Sequence, residues 1–341
     1  MKCMVFSTRG RRTSATFFLS LVLLSGAACT DLRLRPYRDD ALIENGRYAL
    51  GEQYACVEGL RLCYQDFGEG DTILIIPGLG TSIDFWQGVI PVFAEQFRVV
   101  AVDPPGFGKS DKPDASYDLS WMDSKILAFM DQMGIERANV IGGSMGGHLG
   151  LLLALDHPER VEKLVMMGST GDWAAPGPVL AFGLKNLWSE YLVTDYLRNH
   201  WPQLFKLMVS HPNAMSDSLL RYQMAVRANR CRFEPEGRAS ARAIRSIFFS
   251  SCRNRFADLT VPLLLLWGQF DQIHTPRHAV FIHSQVAESQ LMVVPDSGHE
   301  VMIDQPQKFT AAVISFFKSK SRPESARASL EGTNAQSHAS F

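Results

Sequence analysis

The hexapeptide GGSMGG, residues 142–147, sets one hydroxyl-bearing side chain, Ser144, among four glycines. It follows directly on the run Ala138-Asn139-Val140-Ile141. Glycine loses more conformational freedom on folding than any other residue, so a segment that keeps four needs backbone angles or close approaches that other residues cannot supply. One such need is catalytic: Gly142-Gly143-Ser144-Met145-Gly146 fits the Gly-x-Ser-x-Gly pattern of a strained strand-to-helix turn that lifts a serine Oγ above a sheet edge. A tight turn with an incidental serine satisfies the same five residues. The flanking segments decide between the two.

Outward from this turn, short and nearly continuous apolar runs recur at 73–76, 99–102, 140–141, 164–167, 263–267 and 291–294. Runs without alternation are buried on both faces, as parallel strands are. Segments with helical spacing, 120–133, 145–157, 276–286 and 306–318, lie between them. Alternating strands and helices predict an α/β fold, a doubly wound and mostly parallel sheet covered on both faces. Upstream, 54–57 and 60–66 read as a hairpin across the two-residue turn Glu58-Gly59. The alternation breaks once, at 172–258, where an aromatic, helix-patterned insertion at the carboxyl end of a strand reads as a helical cap over a site. The chain thus divides into a core of 46–171 and 259–319, the cap, a polar linker at 29–45, and a tail at 320–341 expected to be disordered.

Composition confines the partners. The 341 residues are 46% hydrophobic and 20% charged with a formal net charge of -1, an ordinary globular balance with no global pull toward nucleic acid. Residues 1–28 stand apart: Lys2, Arg9, Arg11 and Arg12 precede an apolar stretch at 16–24, too short to span a bilayer, and then Ser25-Gly26-Ala27-Ala28. This is the layout of a secretory signal, and with Cys29 next it resembles a bacterial lipoprotein signal. That resemblance implies a lipidated Cys29 and a membrane-anchored protein facing the periplasm or exterior, whereas ordinary cleavage after the small residues implies a soluble exported one. In an oxidising compartment a Cys231–Cys252 bridge is the more attractive pairing, with Cys56, Cys63, Cys231 and Cys252 as four buried free thiols the alternative. No cysteine spacing resembles a zinc site, and no metal or cofactor is expected.

A nucleophilic serine needs a base to take its proton and an acid to orient that base. The run 263–267 leads into Gly268-Gln269-Phe270-Asp271, and 291–294 leads into Pro295-Asp296-Ser297-Gly298-His299. Asp271 and His299 therefore each lie just past a carboxyl strand end, on the edge that carries Ser144. Asp172 is an alternative third member. Nearby groups read as structural: Asp103 as a loop organiser, Asp296 as a turn former, His148 as packing or solvent-facing, and Glu300 as a solvated carboxylate beside His299. Gly108-Lys109-Ser110 ends like a phosphate-binding loop, but Asp103 stands where that motif requires glycine.

From about residue 50 to 318 the chain resembles the α/β-hydrolases with a helical cap. Pro77-Gly78-Leu79-Gly80 stands in the place of that family's His-Gly oxyanion loop, with proline for histidine. Val102-Asp103-Pro104-Pro105-Gly106-Phe107-Gly108-Lys109-Ser110 resembles the loop after its next strand, and Asp156-His157-Pro158-Glu159-Arg160-Val161 its helix-to-strand turn downstream of the elbow. The resemblance implies a cofactor-free serine hydrolase: Ser144 attacks an acyl carbon, His299 takes its proton, Asp271 holds the imidazole, and the backbone N–H groups of Leu79 and Met145 bind the oxyanion.

Serine rather than aspartate at 144 disfavours the dehalogenase and epoxide hydrolase branches. The branch that cleaves carbon-carbon bonds in ring-fission products also uses serine but typically has tryptophan where this chain has Glu300. A carboxylic ester or related small acyl compound is thus the expected substrate, and carbon-carbon hydrolysis the alternative. Acyl transfer and cofactor-free haloperoxidase chemistry use the same triad, and a non-catalytic binding protein on the same scaffold is the remaining reading. Residues 221–255 hold nine arginines, no lysine, and only Glu234 and Glu236 in opposition. That excess fits either a solvated helical face or an anionic partner, a substrate carboxylate or membrane phosphates.

Overall fold

The computed structural model describes residues 51–171, 189–210, 223 and 230–319. The signal with Cys29, the linker, Asp172 and the tail lie outside the described residues. β1 (Gln53–Val57) and β2 (Leu60–Phe67) form the expected hairpin. Its turn residues Glu58 and Gly59 have φ 47° and 85°, the two-residue geometry whose twist matches the flanking strands. β3 (Thr72–Ile76), β4 (Arg98–Val102), β5 (Ala138–Gly143), β6 (Val161–Met167), β7 (Leu263–Gly268) and β8 (Ser289–Val294) follow. Together they make an eight-stranded sheet in the order β1-β2-β4-β3-β5-β6-β7-β8. The β1–β2 and β2–β4 pairs are antiparallel and every other pair is parallel.

The described helices, in chain order, are α1 (Ile90–Ala94), α2 (Leu119–Gln132), α3 (Met145–Asp156), α4 (Glu190–Met208), α5 (Arg230–Phe249), α6 (Pro276–Gln285), α7 (Val301–Asp304) and α8 (Pro306–Lys318). Successive strand residues divide between two cores, as the period of two requires. Leu74, Val100, Val140, Leu164 and Leu265 pack with Ile126 of α2, Leu149 of α3 and Ala279 of α6. Ile75, Ala101, Ile141, Val165 and Leu266 pack with Phe93 of α1 and Phe309 of α8. Cover on both faces explains why the central strands carry no polar alternation.

Two features of this topology position a site. The chain leaves β3 toward β4 on one side and returns to β5 on the other, so the loops after β3 and β5 diverge and open a crevice at their carboxyl ends. Between β6 and β7 the helical insertion appears as α4 and α5, which run antiparallel: Glu190 Oε1 accepts from Arg242 Nε at 2.8 Å, and Thr194 sits against Gly237, where a Cβ would be 2.3 Å from its Cγ2. No described helix is long and apolar enough to cross a membrane.

The described cysteines are free thiols, as the alternative to the bridge has it, with Cys63 and Cys252 buried; only the exposure of Cys56 departs from that reading. Cys56 is exposed, and Cys252 is a free thiol with its Sγ 3.4 Å from His148 Nε2, so it is not bridged; the side chain of Cys231 lies outside the described residues.

Candidate active site

Ser144 is the one residue between β5 and α3, at φ 51° and ψ -118°. Holding a non-glycine residue there costs about 1–3 kcal/mol, a strain that persists only when the surroundings enforce it. They do. A Cβ on Gly142 would lie 2.3 Å from Gly146 O, and one on Gly146 would lie 2.0 Å from Ile76 O, so only glycine lets β5, β3 and the start of α3 meet. The Ser144 N–H donates to Met167 O at 2.8 Å, which carries the β5–β6 pairing into the turn. Its side chain is half-buried and makes no hydrogen bond to another described residue.

The loop after β3 lies against this serine, since a Cβ on Gly78 would be 3.0 Å from Ser144 Cβ. The Thr81 N–H and hydroxyl both donate to Gly78 O, at 3.2 and 2.9 Å, and close the turn that carries Leu79. Met145 opens α3, where backbone N–H groups have no partner within the helix and the positive end of its dipole lies. Asp103 braces the loop that follows Pro77. Its Oδ1 accepts the Ile83 N–H and its Oδ2 the Lys109 N–H, both at 2.8 Å, tying the loop after β3 to the loop after β4. Burial pushes the Asp103 carboxyl up to about 7. The loop-organiser reading of Asp103 therefore agrees with its contacts.

Asp271 and His299 meet. His299 Nδ1 is 2.9 Å from Asp271 Oδ2, with 2% and 0% of the two side chains exposed. Asp271 Oδ1 accepts the N–H groups of Ile273 and His274, each at 2.9 Å, so both carboxylate oxygens are held. The pair lies over the end of β6: a Cβ on Gly168 would sit 2.9 Å from His299 Nδ1 and 3.1 Å from Asp271 Oδ2. Gly168 directly follows Met167, the acceptor of the Ser144 N–H, so the serine and the dyad share one strand end. Burial by itself depresses the His299 imidazole; the charge of Asp271, their hydrogen bond and Glu300 outweigh it and raise His299 above its ordinary value. His274 packs beside it, ring centroids 5.6 Å apart, and is held well below the ordinary value by burial and then by the neighbouring imidazoles.

Glu300 is buried rather than solvated, and the loss of solvent, with Asp271 and Asp304 nearby, pushes its carboxyl up to about 7. The apolar run Val301-Met302-Ile303 beside it was the one sequence sign of that burial. Gly168 had a fainter one, a glycine at a carboxyl strand end. Asp296, exposed at φ 56°, forms a turn as expected. His148 is packed: its Nδ1 lies 3.0 Å from Thr170 Oγ1, and burial depresses it to about 4.

The described cap arginines are engaged internally. Arg242 bonds Glu190 and Asp114, Arg255 bonds Asp156 at 2.6 Å, Arg238 lies 3.7 Å from Glu234, and Arg253 covers the ring of Phe281 at 4.2 Å. The side chains of Arg221, Arg227, Arg230 and Arg232 lie outside the described residues. A cavity of about 260 Å³ opens between α4 and α5, lined by Glu190, Thr194, Asp195 and Arg198 on one helix and Phe233 and Arg238 on the other, and none of the residues gathered at Ser144 lines it. Among the described residues no cluster of His, Cys, Asp and Glu could hold a metal ion.

The family profile described as alpha/beta hydrolase fold matches residues 71–306. The chain is 31% identical to the 2-hydroxymuconate semialdehyde hydrolase of Pseudomonas sp. (strain CF600), over 76% of this chain and 90% of that one. It is 28% identical to a 2-hydroxy-6-oxononadienedioate/2-hydroxy-6-oxononatrienedioate hydrolase of Burkholderia vietnamiensis, over 76% and 91%. Among solved structures it is similar to a membrane phospholipase A described as a bacterial virulence factor, with 25% identity and a TM-score of 0.71 over 89% of this chain and 97% of that one. A meta-cleavage product hydrolase from Pseudomonas fluorescens IP01 superposes with 26% identity and a TM-score of 0.66 over 79% and 97%.

Proposed function

This chain belongs to the α/β-hydrolase family, and from that premise we propose that it hydrolyses a small-molecule acyl compound with Ser144 as nucleophile, His299 as general base and Asp271 as the group that orients the imidazole. The observation that carries this reading is the buried His299–Asp271 bond at the strand end occupied by the strained serine. Ser144 Oγ adds to the acyl carbon as His299 Nε2 takes its proton. The negative charge that develops on the acyl oxygen is met by the N–H groups of Leu79 and Met145, backbone donors that need no reorganisation. The leaving fragment takes the proton from His299, and water, deprotonated by the same imidazole, releases the acid from the acyl-enzyme and restores the serine.

For the bond cleaved, the curated relatives support the carbon-carbon bond beside the ketone of a ring-fission dienoate over the simple ester favoured by the residues alone. In that reaction the electron pair of the broken bond departs on the conjugated fragment, which is protonated there. Ester hydrolysis, of a lipid in particular, is the second reading. It is favoured by the likeness to a membrane phospholipase A over 89% of the chain, and by Glu300 in the position after the histidine. An exported protein anchored through Cys29 accords with the N-terminal pattern, and intact mass of the mature N-terminus tests it. Acyl transfer and haloperoxidase activity draw on the same groups, with no residue that favours them.

The experiment has two stages. A fluorophosphonate should label the wild type and not Ser144→Ala; equal labelling, or none of the wild type, overturns the serine reading. Turnover of a 2-hydroxy-6-oxo dienoate is then compared with p-nitrophenyl esters of increasing chain length and with phosphatidylcholine vesicles. Esters or vesicles turned over without the dienoate would replace the first reading by the second.

A further inference from the structure

The N–H groups of both residues that neighbour His299 are engaged, and both lead to the end of α4, the first described helix of the insertion. The Glu300 N–H donates to O of Met208, the last residue of α4, at 2.9 Å. The Gly298 N–H donates to Asp304 Oδ2 at 2.7 Å, and that same oxygen accepts the Ser210 N–H at 2.8 Å. The approach is close, for a Cβ on Gly298 would lie 2.9 Å from Met208 O and 3.0 Å from Ser210 N. On its other side the loop presses on β7, where a Cβ on Gly268 would be 1.8 Å from Gly298 O. The loop that carries the imidazole is therefore clamped between the sheet and residues 208–210. Asp304, buried at the end of α7, is the side chain that joins the two. Upstream on α4, Phe205 meets Phe85 of the segment after β3, ring centroids 6.3 Å apart, so this helix end spans the crevice from the oxyanion-loop side to the histidine side.

We propose that Asp304 is a positioning residue for the general base: it fixes His299 through Gly298 and couples it through Ser210 to the cap, so that displacement of the end of α4 is transmitted to the imidazole. The proposal rests on the assignment of His299 as the base. It assigns the cap a second role besides covering the crevice, since closure of α4 and orientation of the imidazole become one event. A misplacement of about 1 Å at a reacting group costs on the order of 100-fold in rate, so a modest loosening of this clamp is measurable.

Asp304→Ala removes the one oxygen that accepts both bonds, whereas Asp304→Asn keeps a carbonyl oxygen able to accept both N–H groups. Three readouts apply: the rate of fluorophosphonate labelling, which needs no known substrate; kcat and KM on whichever test substrate the wild type turns over; and the downfield proton NMR signal of the His299–Asp271 bond. We expect D304A to lower the labelling rate and kcat at least about tenfold with KM within about threefold, and to shift or broaden that proton, while D304N returns to within about threefold of wild type. Labelling of D304A at the wild-type rate overturns the proposal and leaves the hydrolase reading intact. Equal impairment of D304A and D304N with an unmoved proton signal reduces Asp304 to a merely structural group and overturns it as well. A wild type that does not label at all fails the hydrolase reading first. Should D304A not fold, Ser210→Pro removes the cap-side N–H while leaving Asp304 in place; it should slow labelling in the same way, and wild-type labelling by that variant overturns the coupling.

Discussion

At the scale of single residues, the site turns on how burial and charge compete at His299. A base must be neutral to act, and His299 is raised above the ordinary 6.5 because Asp271 and Glu300 offset its desolvation. The kcat/KM profile should therefore rise with pH to a midpoint above 6.5, and Glu300→Gln, which removes a carboxyl that is partly charged in that range, should move that midpoint down. The same variant should report on stability with a definite sign. Glu300 is raised from 4.5 to about 7 on folding, so the folded state binds its proton more tightly. Its contribution is fully present below 4.5 and is lost as pH rises through about 7. E300Q should match the wild-type Tm below about pH 4.5 and exceed it by several degrees near about pH 8.5, by differential scanning calorimetry. Ser144→Ala should lower kcat on the order of 10⁴-fold or more with the fold intact. Of these residues Ser144, Asp271 and His299 were legible in the sequence, because motif and strand-end position are local signals. The burial of Glu300 left only the apolar run after it as a sign, because its N–H is taken up by Met208 O, 92 positions away.

At the scale of elements, the elbow and the cap are held by different physics. The elbow is steric: Gly146 has no room for a Cβ against Ile76 O, and Gly146→Ala should destabilise by about 3 kcal/mol in urea titrations through forced displacement of α3 from β3. Unchanged stability would mean that the strand and helix can separate freely. The cap is held in part by Arg242, which bonds Glu190 on α4 and both Asp114 Oδ1 and Ala115 O on the core. Arg242→Ala should weaken that attachment by about 1 kcal/mol and speed limited proteolysis within 189–249. The helix at 306–318 and the hairpin were readable from spacing and turn chemistry alone. The short α1 and α7 were missed because one turn is too short to show a period of 3.6.

At the scale of the whole molecule, the strand order places the crevice and the insertion covers one side of it. Lipid attachment at Cys29 should appear as a diacyl-sized mass increase on a mature chain beginning at that residue, and a mature chain ending its signal elsewhere, without added mass, would refute it. The order of strands and helices, the glycine turn and the Ser-Asp-His succession were determined by the sequence by itself, since hydrophobic period, turn residues and strand-end position are all written within a few neighbouring residues. Tertiary structure alone decided which groups lost their water and which found partners: Arg242 and Arg255 drawn into ion pairs with the core, Cys252 against His148, and Asp304 joining the histidine loop to α4. Each of those depends on contacts between residues dozens of positions apart or on desolvation by several elements at once, and neither leaves a periodic trace along the chain.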